Sequence, residues 1–147
     1  MHPVPLPPPA AYGVFLLRLA LGAMWISHAL LKVLVFTLPG AAKFFDSVGL
    51  PGVLVYPVVL AELAGGAAIL LGWHGRHASL LLSPILLVAA WVHLPNGWVF
   101  TAPNGGWEYP VFLLAASLVH ALVGDGRWAL AGGGHARAGL ASSRVPA

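Results

Sequence analysis

The sequence predicts an all-α, polytopic membrane protein: a bundle of four transmembrane helices with both termini on the cytoplasmic side. Three observations lead there. Apolar residues make up 59% of the 147-residue chain and charged residues only 7%, whereas a soluble domain carries about a quarter of its residues charged. Four runs, over 12–36, 53–71, 77–94 and 109–123, approach the roughly 20 apolar residues that a hydrocarbon core of about 30 Å demands. The basic residues at the run ends are unevenly shared. Arg76, Arg127, Arg137 and Arg144 fall on the side of the second turn and the C-terminus, and Lys43, with Lys32 nearby, falls on the other. Basic residues accumulate on the cytoplasmic side, which orients the bundle and places the chain as a multi-pass protein of the cell (inner) membrane.

The same composition excludes other classes. A pI near 9.8 would suggest nucleic acid in a soluble protein, but with so few charges it reflects a handful of Arg and Lys at membrane edges. The expected partner is the lipid bilayer, not nucleic acid. The absence of cysteine removes disulfides, thiolate redox chemistry, Cys-ligated iron–sulfur clusters and thioether-attached haem. Any redox role therefore needs a non-covalently bound cofactor or a partner protein.

The chain divides into a Pro-rich leader (1–11), a four-helix transmembrane domain (12–130) and a tail (131–147). The leader MHPVPLPPPA is expected to be extended up to the start of helix one; it lacks the basic segment of a cleaved signal. Helix one carries Arg18, Trp25, His28 and Lys32 within a stripe about 80° wide at 100° per residue. The connection TLPGAAKFFDSVGLPG holds turn residues around a short amphipathic piece expected in the interface. Helix two, VLVYPVVLAELAGGAAILLG, is apolar throughout except for Glu62, with Gly65 and Gly66 on the same face for close helix approach. The short turn WHGRH makes helices two and three antiparallel neighbours. Helix three contains Pro84 and ends near His93. PNGWVFTAPNGGWEYP pairs two turn signals with Trp98, Phe100, Trp107 and Tyr109, the pattern of a hairpin-like flap in the aromatic belt. Glu108 then leads into helix four, which contains His120 and closes on GDGRW. The Gly-, Ala- and Ser-rich tail is expected to be disordered.

An acid near the middle of a span is costly, about 2.5–3.5 kcal/mol on insertion scales, so Glu62 needs a partner or a proton. At 1.5 Å per residue from the external ends, His28 and Glu62 lie at about 12–14 Å depth, His120 at about 16 Å and Lys32 at about 6 Å. His28, Glu62 and His120 thus form one candidate cluster at the midplane. Lys32, His93 and Glu108, with Trp107 of the flap, form a second beneath the external face. Counted from the other ends, Arg18 also comes within reach of Glu62, so Arg18 and His28 are rival partners for it. Glu62, His28 and Arg18 are the candidate catalytic groups, and Lys32, His93, Glu108, Trp107 and His120 the candidate ligand-binding ones. No two histidines sit at i, i+4 on one helix beside an acid, which disfavours a dedicated metal site. Haem b would need two facing histidines, and only His28 with His120 is a fair pair, so haem is disfavoured too.

Several of these residues form a set: Arg18 with Gly22, Lys32, GLPG at 49–52, ELAGG followed by LLG, Arg76, NGGWEYP and GDGRW. With them the chain, over about 15–130, resembles the DoxX family of small four-helix membrane proteins, a group that includes the DoxD subunit of thiosulfate:quinone oxidoreductase. The resemblance implies a redox-linked membrane subunit beside a separate soluble or peripheral catalytic partner, with quinone as the acceptor. It leaves open whether the chain is itself catalytic. A quinone site wants an apolar slot, hydrogen-bonding groups for the ring oxygens and a group that passes protons, which His28, Lys32, His93, Glu62 and Glu108 could supply. The alternatives are a non-catalytic anchor or assembly subunit and a small transporter, which a homo-oligomer would suit.

Overall fold

The computed structural model describes residues 8–131, so the expectations for the first seven residues and for 132–147, with His135, Arg137 and Arg144, lie outside the described residues. All regular structure among the described residues is helical. Helix α1, Pro8–Leu30, continues as a π-helical segment over Leu31–Val35. It is followed by α2 (Leu38–Ser47), α3 (Val55–Leu71), α4 (Gly75–His93) and α5 (Glu108–Val123). Three stretches, Pro9–Val35, Gly52–Leu71 and Gly75–Asn96, are long and apolar enough to cross a membrane, and α5 is apolar but shorter. The chain is a membrane protein of the helical class.

Helix α1 begins at Pro8 and not at Tyr12. Proline is tolerated in a first helical turn, where its missing N–H has no intrahelical acceptor in any case, so the leader's last residues are helical and not extended. Helix α2 is the expected amphipathic piece. Thr37 caps it, its hydroxyl accepting from the Gly40 N–H at 3.3 Å, and the Asp46 carboxylate accepts from the Gly52 N–H at 2.8 Å to pin the turn into α3. Helix α3 ends at Gly72, whose φ of +66° is the left-handed conformation that stops a helix without a Cβ clash. The Trp73 N–H then bonds the Ala68 carbonyl at 2.9 Å, closing the turn into α4.

Helix α1 packs along α3 and α4 along α5, with α3 against α4 completing the bundle. The core where they meet is Leu21, Trp25, Ile69, Leu82, Leu86 and Leu113. A smaller core of Ala29, Ala41, Val55 and Val59 seats α2 against α1 and α3. Gly22 makes the first contact tight, since a Cβ there would stand 2.9 Å from the Leu70 Cα. The loop 97–107 is not a strand hairpin, but backbone bonds from Trp107 N to Gly97 O (3.1 Å) and from Glu108 N to Trp98 O (3.0 Å) do cross-link its ends.

Candidate functional site

Helices α1 to α5 and the loop before α5 line a cavity of about 1150 Å³. Its walls are mostly apolar, with Phe44 and Phe45 of α2 on one side and Val88 and Val92 of α4 on another; Phe100, Asn104, Gly105 and Gly106 of the loop form its roof. The roof is tied down by Asn96, whose side-chain amide donates to the carbonyls of Asn104 (3.2 Å) and Gly105 (2.7 Å). Polar groups in the lining are few. They centre on Lys32, Glu62, His28 and His93.

The partner of Glu62 is Lys32, neither Arg18 nor His28. Lys32 Nζ donates to both carboxylate oxygens at 2.8 Å, and the Glu62 side chain is only 4% exposed against 19% for Lys32. Depth counting separated these residues by more than a helical turn. The lysine's flexible four-carbon stem makes up that distance by pointing inward, and Lys32 lies in the π-helical segment, a wider turn often found at functional sites. His28 Nδ1 donates to the Met24 carbonyl at 2.9 Å, and its ring stacks on Tyr109 at 5.7 Å between centroids and 21° between planes. His93 Nδ1 donates to the Ala89 carbonyl at 2.7 Å.

Glu108 and Trp107 fall outside the cavity lining. Glu108, the first residue of α5, turns back on the loop, its carboxylate accepting from the Phe100 N–H at 3.1 Å. It borders a smaller hollow on the outer flank of α5 with Trp98 and Phe112. Trp107 packs edge-on against Trp98 at 4.4 Å. Both residues brace the roof without reaching the space beneath it.

Arg18 and His120 belong to a second polar cluster at the opposite end of the bundle. Arg18 is 1% exposed. It donates through Nη1 to the Asp125 carbonyl (2.9 Å) and through Nη2 to the Trp128 carbonyl (3.3 Å). His120, fully buried, shares a 2.7 Å hydrogen bond between Nδ1 and Ser79 Oγ. Its Nε2 lies 3.3 Å from Asp125 Oδ1, within ion-pair range but off the line of a hydrogen bond. Burial pushes the Asp125 carboxyl up, yet the His120 imidazole, the Arg76 backbone amide and the Arg18 guanidinium outweigh it and carry it below the ordinary carboxylate value. Two further backbone bonds, Leu130 N to Leu71 O and Ala131 N to Gly72 O, both 3.1 Å, strap 124–131 across the helix ends. A Cβ on Gly72 would collide with Arg18 Nη1 and with Ala129.

The two polar sites are insulated from each other. On α1, α3, α4 and α5 alike, the residues of the apolar core come between the cavity groups and the Arg18 cluster. The histidines paired as haem candidates, His28 and His120, therefore sit on opposite sides of that core. Asp125, Ser79 and Tyr109 are site residues that the sequence reading did not single out as such. The signal for Asp125 was available: a buried His120 needs a partner, and the acid in GDGRW follows five residues later.

A model of the DoxX family matches residues 13–94, more than half of the chain. The chain belongs to the DoxX family. The DoxX match contains His28, Lys32, Glu62 and His93 of the cavity lining, whereas Tyr109 of that lining, His120 and Asp125 lie beyond it. A relative from Bacillus subtilis (strain 168), described as "Putative oxidoreductase CatD", is 30% identical over 113 residues, which is 77% of this chain and 80% of that protein. No solved structure matches this DoxX protein.

Proposed function

We propose that this DoxX protein is a redox-associated subunit of the cell (inner) membrane that takes a quinone-type lipophile into the cavity between its helices. The observation that carries the reading is the cavity itself: apolar walls around one buried Lys32–Glu62 pair and two imidazoles. Small-molecule pockets combine these features, an apolar lining with a few polar groups that fix orientation. At about 1150 Å³ the cavity has room for a ring and part of an isoprenoid tail. Lys32 and Glu62 are the groups to hold and move a proton beside a ring oxygen. The oxidoreductase name of the Bacillus subtilis relative supports a redox role, with electrons exchanged through a soluble or peripheral partner. In this reading the bundle spans the membrane four times with both termini cytoplasmic, and α5, about 24 Å long, is the shortest span.

The competing reading is a non-catalytic anchor or assembly subunit. It is favoured by the Arg18 cluster, whose bonds all fasten helix ends. Lipid extraction of the purified protein and thermal melting with added quinone separate the two. The quinone reading expects extractable quinone and a raised melting temperature. No quinone in the extract together with an unmoved melting temperature leaves the anchor reading.

A further inference from the structure

The two imidazoles of the cavity carry a chemical bias. His28 Nδ1 and His93 Nδ1 each meet the carbonyl one turn earlier on their own helix, at 2.9 and 2.7 Å. A carbonyl oxygen only accepts, so each Nδ1 carries the proton, and the Nε2 of the neutral ring is then a bare acceptor. Both side chains line the cavity, and neither Nε2 has a protein partner among the described residues. Stacking on Tyr109 holds the His28 ring plane.

The charged donor in the lining is already engaged. Lys32 Nζ directs two N–H groups to Glu62 at 2.8 Å and the third toward the His28 carbonyl at 3.4 Å. The Trp25 indole N–H, on a cavity-wall residue only 1% exposed, has no partner among the described residues, and a quinone carbonyl or a quinol oxygen could equally accept from it, so it adds no preference. The Tyr109 hydroxyl and the Asn104 side-chain amide can each donate or accept, so they add no preference. An oxidised quinone brings only carbonyl acceptors, which cannot pair with the two bare Nε2 atoms. A ligand bearing hydroxyls complements them.

We infer that the cavity selects the reduced form of its lipophile: a membrane-dissolved quinol whose ring hydroxyls donate to His28 Nε2 and His93 Nε2. The inference rests on the quinone-type reading above and adds the oxidation state that is bound. The test is calorimetric titration of the purified protein, without oxygen, with three ligands of matched size: a short-chain alkyl benzoquinol, its benzoquinone, and the dimethyl ether of the quinol, which cannot donate. The expected result is a quinol Kd at least about tenfold below the other two, a gap of about 1.4 kcal/mol. In His28→Phe/His93→Phe, the ratio of quinone Kd to quinol Kd should fall by about tenfold. Equal affinities, or tighter binding of the quinone, overturn the inference and leave the lipophile reading standing. So does a double variant that keeps the preference. If none of the three ligands binds the native protein, both readings fall. Should the variant not fold, the three-ligand comparison on the native chain decides alone.

Discussion

Replacing Lys32 by Met while Glu62 stays should destabilise the protein by about 3 kcal/mol, and removing both charges should recover most of it. Lys32 Nζ lies 2.8 Å from each carboxylate oxygen. At that separation an effective dielectric of 20 gives about 6 kcal/mol of attraction. Most of it offsets the desolvation of the two ions, so the pair adds little net stability. Losing one partner is different, because it leaves an uncompensated buried charge at a cost of roughly 3–5 kcal/mol. Glu62, 4% exposed, is the group so stranded, while the 19% exposure of Lys32 means water already reaches the pair and sets the lower end of that range. The assay is thermal unfolding in detergent followed by circular dichroism. At roughly 2–4 °C per kcal/mol for a chain of this size, Lys32→Met should lower the midpoint by roughly 6–12 °C. Lys32→Met/Glu62→Leu, with two apolar residues of similar volume, should return it to within about 3 °C of the native value. A single variant that melts with the native protein, or a double variant that costs the sum of the two singles, would refute the reasoning, because either means the charges are uncoupled.

Three further outcomes follow from the rest of the structure. Arg18→Met removes two charge-assisted hydrogen bonds from the strap 124–131, so limited proteolysis should cut after Arg127 at least tenfold faster, with a stability loss of about 3 kcal/mol by thermal melting. Asp125 is held below its ordinary carboxyl value in the folded protein, so its contribution is complete above the unfolded value of about 3.9 and is lost as pH falls through the lower folded one. Melting temperatures taken from pH 7 down to pH 2 should therefore drop at the acid end in the native protein, and Asp125→Asn should flatten that drop. Gly22→Ala places a Cβ 2.9 Å from the Leu70 Cα, which forces α1 from α3 and should cost about 1–3 kcal/mol of thermal stability.

Much of the scaffold was legible in the chain because helix formation in an apolar chain is a local matter. The run 53–71 predicts α3 to within two residues at its start, and the glycine after it is the left-handed stop that the structure shows. The candidate site was legible only in part. Glu62 stood out because one acid in an apolar helix is visible without neighbours. Its partner did not, because 1.5 Å per residue locates Cα atoms and not the ammonium at the end of a lysine stem. Depth along the helices groups His93 and Lys32 beneath the flap, and they do line one cavity. It groups Glu108 with them, yet that side chain returns to the loop, a choice made by the Phe100 N–H and not by sequence position. It sets His120 beside Glu62, whereas the fold of GDGRW draws it to Asp125.

Composition and patterning along the chain establish an all-helical membrane protein with buried ionisable groups. Hydropathy is summed residue by residue, and in an apolar solvent the backbone must satisfy its own hydrogen bonds, which a helix does within one segment. That those groups form two sites and not one emerges from the packing. Which acid meets which base depends on helix rotation, side-chain reach and the return of 124–131 across the helix ends. Packing of Trp25 and Leu82 among their neighbours then drove an apolar layer between Lys32–Glu62 and Arg18–Asp125.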